Sequence, residues 1–121
     1  MKETVAIIGA SNKPDRYSYK ALQALLDNDH NPIPINPKFD DINGVKCYPN
    51  LYAYPDEIDT ITLYLRPANL LPMIPQIIKI KPKRVIFNPG TEDAEIMKQL
   101  EEGGIEAQEA CTLVLLKTNQ F

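Results

Sequence analysis

The stretch Gly9-Ala10-Ser11-Asn12-Lys13-Pro14-Asp15-Arg16-Tyr17-Ser18 gathers residue types that suit an anion. Gly9, Ala10 and Ser11 are small enough to let backbone N–H groups come close to a phosphate. A helix starting just after them would aim its free N–H groups and positive dipole end at the same point. Ser11 and Ser18 supply hydroxyl donors, and Lys13 and Arg16 add charge. The pattern is not the dinucleotide fingerprint, because G-x-G-x-x-G counted from Gly9 needs glycines where Ser11 and Pro14 stand. It is not a P-loop either, since no Gly-Lys-Ser/Thr follows. On these residues alone it is either a phosphate loop or an ordinary strand-to-helix turn.

Other segments that directly follow apolar runs carry further candidate groups. Asn36-Pro37-Lys38 offers a cation where an NAD site usually places an acid for the ribose hydroxyl. That suits a ligand whose ribose carries a phosphate, as coenzyme A and NADP do. Asp40 and Asp41 would restore an acid in a shifted register, and the bland alternative is a turn with a solvated lysine. In Tyr64-Leu65-Arg66-Pro67, Arg66 precedes a helix start, an unfavourable place for a cation unless an anion is present. Its guanidinium suits phosphate or the face of an adenine. Asn88, in Asn88-Pro89-Gly90-Thr91, either fixes its turn or meets the amides of a ligand arm. Cys111, after Glu109-Ala110, reads as a small buried hydrophobe or as a thiol facing the thiol end of a ligand.

Catalytic groups are scarce. The one histidine, His30, stands in the polar run 27–31 and reads as a solvated turn residue away from the strand ends. It offers no nucleophile–base pair. The cysteines Cys47 and Cys111 have no metal-like spacing, and Glu101-Glu102 reads as a solvated helix face. Binding is therefore expected rather than a reaction.

The elements that must position these groups are legible as short apolar runs separated by helix-length stretches. Residues 4–8 form a continuous apolar strand ending at Gly9, and 18–28 a helix with Ser18 as its N-cap. Residues 32–35 form a second short strand that leaves the sheet at Asn36-Pro37, its prolines being odd for a central position. A loop covers 38–54, with a small extended piece at 45–48. Strands follow at 59–65, 84–87 and 105–109. Helices are expected at 69–80, with Pro72 and Pro75 near its start, and at 92–102, closed by Gly103-Gly104. The tail 111–116 is a short helix or turn.

Strand–helix alternation without hairpin signals implies parallel strands and right-handed crossovers. The expected fold is α/β, a single Rossmann-like doubly wound parallel sheet of about five strands with helices on both faces, occupying residues 1–121 as one domain. Ligands of such sheets bind outside the carboxyl ends of the strands. The net charge of −3 argues against broad nucleic-acid or membrane-surface binding, and no run of ~18 apolar residues spans a membrane. The chain is expected to be cytoplasmic with reduced thiols. A protein partner and a homodimer both stay open.

Taken together, VAIIGASNKPDRYSY, PIPINPK with NGVKCY, TITLYLRP, VIFNPG and GIEAQEACT resemble the stand-alone CoA-binding domain proteins, which are similar to the N-terminal domain of succinyl-CoA ligase α subunits. The resemblance spans nearly the whole chain, and G-A-S-x-x-P-x-R-Y is its most specific part. It implies coenzyme A, or an acyl-CoA, lying along the strand ends. Gly9, Ser11, Arg16, Tyr17 and Ser18 would surround the phosphates, and Asn36, Pro37 and Lys38 would line the adenosine side. Tyr64, Arg66 and Pro67 would form the adjacent wall, with Asn88, Pro89 and Gly90 near the pantetheine. Asn88 stands where many relatives carry Gln. The ligase's second domain, with its phosphorylated histidine, has no counterpart in these residues, so ligase chemistry is not implied. The competing expectation is an enzyme using a nicotinamide nucleotide or a CoA thioester, with Cys111 as its thiol.

Overall fold

The computed structural model describes residues 2–121. The chain forms strands β1 (Thr4–Ile8), β2 (Asn31–Ile35), β3 (Asp41–Ile42), β4 (Val45–Lys46), β5 (Thr60–Leu63), β6 (Arg84–Phe87) and β7 (Glu106–Glu109). Five of them build one parallel sheet in the order β2-β1-β5-β6-β7. The order reverses between β1 and β5, which sets the switch point of the doubly wound sheet beside Gly9.

Strand β1 reads as an unbroken apolar run because both of its faces are covered. Val5 and Ile7 pack with Leu22, Leu25 and Leu116 on one side. Ala6 and Ile8 pack with Ile61, Leu63, Leu70, Ile77, Phe87 and Leu100 on the other. The first layer is built by α1 (Tyr17–Asp27) and α5 (Thr112–Lys117), the second by α2 (Pro67–Leu70), α3 (Ile74–Ile80) and α4 (Ala94–Glu102).

The prolines of β2 are explained by its place at the sheet edge. Asn31 donates toward Glu3 on the β1 side, whereas the Pro34 carbonyl and the Asn36 N–H face Tyr48 on the outside. Pro32 and Pro34 therefore turn their missing donors away from β1, where no ladder bond is lost.

Three expectations need correction. A hairpin does occur: β3 (Asp41–Ile42) and β4 (Val45–Lys46) pair antiparallel around Asn43-Gly44. Both turn residues have positive φ, 52° and 78°, the conformation a two-residue I′ turn requires. The 69–80 helix is instead three short pieces, α2, a 3-10 turn at Leu71–Met73 and α3, each with a proline in its first two positions. Pro72 and Pro75 restart the helix rather than lie inside it. Ser18 is not the N-cap of α1; that position is Arg16, and Ser18 is buried within the first turn.

Candidate functional site

The carboxyl ends of β1, β5 and β6 surround a cleft of about 310 Å³ lined by Gly9, Ser11, Arg16, Tyr17, Ser18, Tyr64, Leu65, Arg66, Pro89, Gly90 and Thr91. Gly9 is needed there twice over. Its φ of +88° belongs to the left-handed region, and a Cβ would lie 2.9 Å from the Tyr64 carbonyl oxygen. The loop therefore passes against β5 as only glycine allows.

Beyond it, the Ser11 hydroxyl accepts from the Lys13 N–H at 3.1 Å, and the Lys13 carbonyl accepts from Arg16 at 3.0 Å. Helix α1 then opens with no side-chain cap and no acid in its first turn. Its free amides and positive dipole end are directed to the cleft. Arg16 and Arg66 are exposed, and among the described residues neither is in a salt bridge. The arrangement is a nest of N–H groups with two uncommitted guanidinium groups, which has the chemistry to hold a diphosphate.

Tyr17, Tyr64 and Pro89 also line a second, smaller cavity of about 190 Å³, completed by Asn88, Cys111 and Leu113. Tyr17 is 68 % exposed and stands between the two spaces. Burial pushes the Tyr64 phenol up to about 12, with the Thr62 and Thr112 hydroxyls pulling weakly the other way. Tyr64 is thus a neutral wall.

Asn88 is in place but its amide is already engaged. Its Nδ2 donates to Thr62 Oγ1 at 2.6 Å and to the Leu63 carbonyl at 2.9 Å, and its Oδ1 accepts from the Thr112 N–H at 2.9 Å. This buried knot ties β5, β6 and α5 together, so Asn88 fixes its turn with both of its donors while one face of the side chain lines the second cavity.

Six of the expected site residues line neither space. Ala10 is buried among Val5, Leu22 and Ile42, and Pro67 starts α2. Lys13, Pro37 and Lys38 are exposed. Asn36 acts as a latch: its Nδ2 donates to the Ala10 carbonyl at 2.8 Å and its Oδ1 accepts from the Lys38 N–H at 2.8 Å. It joins the end of β2 to the glycine loop that follows β1. Conversely Leu65, Thr91 and Leu113 line the spaces; Leu65 and Thr91 lie within the Tyr64–Pro67 and Asn88–Thr91 segments, whereas Leu113 lies outside every segment that the sequence singles out.

His30 is not a solvated turn residue. Its Nδ1 accepts from the Glu3 N–H at 3.0 Å, its ring packs on Phe121 at 5.0 Å, and burial lowers its pKa from 6.5. It sits at the amino-terminal end of the sheet, away from the cleft. Cys47 is buried, and burial pushes its thiol up. Among the described residues no group of His, Cys, Asp and Glu is arranged to hold a metal, and no helix is long and apolar enough to cross a membrane.

Similarity to known proteins accords with this geometry. A solved but uncharacterized protein superimposes with a TM-score of 0.93 at 38% identity, covering 100% of this chain and 99% of that one. A hypothetical protein from Pyrococcus horikoshii OT3 superimposes with a TM-score of 0.88 at 30% identity, covering 97% of this chain and 83% of the other. The ADP-forming acetate–CoA ligase of Methanocaldococcus jannaschii is 42% identical over 57 residues, 47% of this chain but only 8% of the ligase. A family model for the CoA binding domain matches residues 3–117, and the chain belongs to that family.

Proposed function

We propose that this member of the CoA-binding domain family binds coenzyme A, or an acyl-CoA, across the carboxyl ends of its strands as a non-catalytic binding or sensing module. The observation that carries the reading is the uncapped start of α1 behind the Gly9 loop, flanked by Arg16 and Arg66. Such an arrangement is electrostatically incomplete without an anion. The diphosphate would rest on Gly9, Ser11, Tyr17 and Ser18. The nucleoside would lie toward Asn36, Pro37 and Lys38, with the exposed Lys38 meeting the ribose phosphate. The pantetheine would run toward Pro89 and Gly90. Free thiols at Cys47 and Cys111 are in keeping with a cytoplasmic setting.

A crystal grown with coenzyme A tests this directly. Diphosphate oxygens should lie within hydrogen-bond distance of the Gly9–Ser11 loop and the first amides of α1. Density elsewhere, with this loop empty, would sink the reading.

One observation favours a second reading. Cys111 lines the smaller cavity, where a thiol would face a thioester or a redox cofactor. An enzyme of that kind would lose its turnover in Cys111→Ser while keeping its ligand affinity. Unchanged turnover in that variant would exclude it.

A further inference from the structure

We propose that the cavity between Tyr17, Tyr64 and Leu113 is an acyl subsite, and that the preferred ligand is a CoA thioester of a short, unbranched, uncharged acid. This inference rests on the coenzyme A reading and deepens it. The cavity shares Tyr17, Tyr64 and Pro89 with the phosphate cleft, so a chain leaving the diphosphate along that wall enters it directly. With the nucleoside on the β2 side of the switch point, the thiol end is the part that points this way, toward β6 and β7.

The walls define what fits. Two tyrosine rings, Pro89, Cys111 and Leu113 make the lining mostly apolar, and no carboxylate or cation belongs to it. Asn88 is the most polar wall, but both of its donors and one acceptor position are taken by Thr62, Leu63 and Thr112. The Tyr64 phenol stays neutral. A free thiol would leave most of this surface facing water, whereas a few methylenes would cover it. A terminal carboxylate would be buried without a partner. At about 190 Å³ the space is below the range of drug-sized pockets and is walled on one side by the buried Asn88, so a long chain exceeds its volume.

Titration calorimetry of the full chain with CoA, acetyl-CoA, n-butyryl-CoA, succinyl-CoA and palmitoyl-CoA tests the proposal. Each methylene moved from water to an apolar wall is worth about a fourfold gain in affinity. Butyryl-CoA should accordingly bind on the order of tenfold tighter than CoA, while succinyl-CoA and palmitoyl-CoA should show no gain. Leu113→Trp, which fills the cavity, should erase the difference between butyryl-CoA and CoA. Equal affinities across the series on the wild-type chain, or tightest binding by succinyl-CoA or palmitoyl-CoA, would overturn the acyl subsite and leave the coenzyme A reading standing. Absence of binding by every CoA compound would overturn both.

Discussion

Helices α1 and α4 both begin where a strand of the parallel sheet has just ended, yet their first turns are finished in opposite ways. At α4 the Asp93 side chain accepts from the Ile96 N–H at 3.0 Å, and Glu95 adds an acid to the first turn. The loop before it is tied down by Asn88, and its Gly90 N–H donates to Glu92 at 2.8 Å. At α1 the cap position holds Arg16, no side chain accepts from the first amides, and no acid lies in the first turn. One helix start is satisfied by the protein's own oxygens, while the other presents donors and positive charge to a cleft. The starts of α2, α3 and α5 are uncapped as well, so what sets α1 apart is its place behind the Gly9 loop with the exposed Arg16 and Arg66 beside it, the arrangement on which the proposed site rests.

The largest effect is expected at Gly9. Gly9→Val places a side chain against the Tyr64 carbonyl in a left-handed backbone, at a cost of about 3 kcal/mol by chemical denaturation. The displaced loop should lower coenzyme A affinity on the order of 100-fold, read by calorimetry. Gly104→Ala is the control, because it shares a positive φ of 83° but would meet only the flexible end of Lys81; it should cost stability and spare affinity.

Asn88→Ala strips the knot behind the α4 loop. Thr62, the Leu63 carbonyl and the Thr112 N–H lose their partner, for a destabilisation of roughly 3 kcal/mol in a urea melt. An exposed loop asparagine would cost far less.

Exchanging the two kinds of helix start sharpens the argument further. Arg16→Asp installs at α1 the cap found at α4, and should raise unfolding stability by about 0.5–1 kcal/mol. The same change fills the N–H nest and reverses its charge, so coenzyme A affinity should fall by about 100-fold. Asp93→Ala should do the reverse, losing about 1 kcal/mol of stability with affinity kept. Loss of stability in Arg16→Asp would contradict the claim that this terminus is left open for a ligand.

The smallest effect lies at the other end of the sheet. Burial lowers the His30 pKa below 6.5, and its Nδ1 accepts from the Glu3 N–H. A depressed folded-state value favours the neutral form, so this contribution is whole above pH 6.5 and is lost as pH falls through the folded pKa. Melting curves between pH 7.5 and 5 should show the decline, and His30→Gln should flatten it. A decline unchanged in His30→Gln would assign it to other groups.

What could be read from the sequence follows how local each interaction is. Residues 84–87 form β6 as expected, since β-branched residues sit between turn signals. Gly9, Ser11, Arg16 and Ser18 fall within one ten-residue stretch, so the sequence alone groups them, and all four line the cleft. The rest of the rim comes from separate strand ends, and Leu113 joins it only through the strand order. Asn88 could not be distinguished from a ligand-facing asparagine, as Thr62 and Thr112 lie 26 and 24 residues away. Asn43-Gly44 is a hairpin signal, but each strand it joins is two residues long and too short to show alternation. His30 looked solvated because its neighbours are polar, while the groups that cover it, Glu3 and Phe121, come from the two ends of the chain.

The open start of α1 and the Gly9 loop are proposed as a site for coenzyme A, with Lys38 meeting its ribose phosphate. Calorimetric titration of the wild-type chain with coenzyme A, dephospho-CoA, NAD and NADP tests it most directly. Saturable binding of coenzyme A, weaker binding of dephospho-CoA and weaker still of NAD is the expected result. No measurable coenzyme A binding at millimolar ligand, or NAD bound as tightly as coenzyme A, would contradict it.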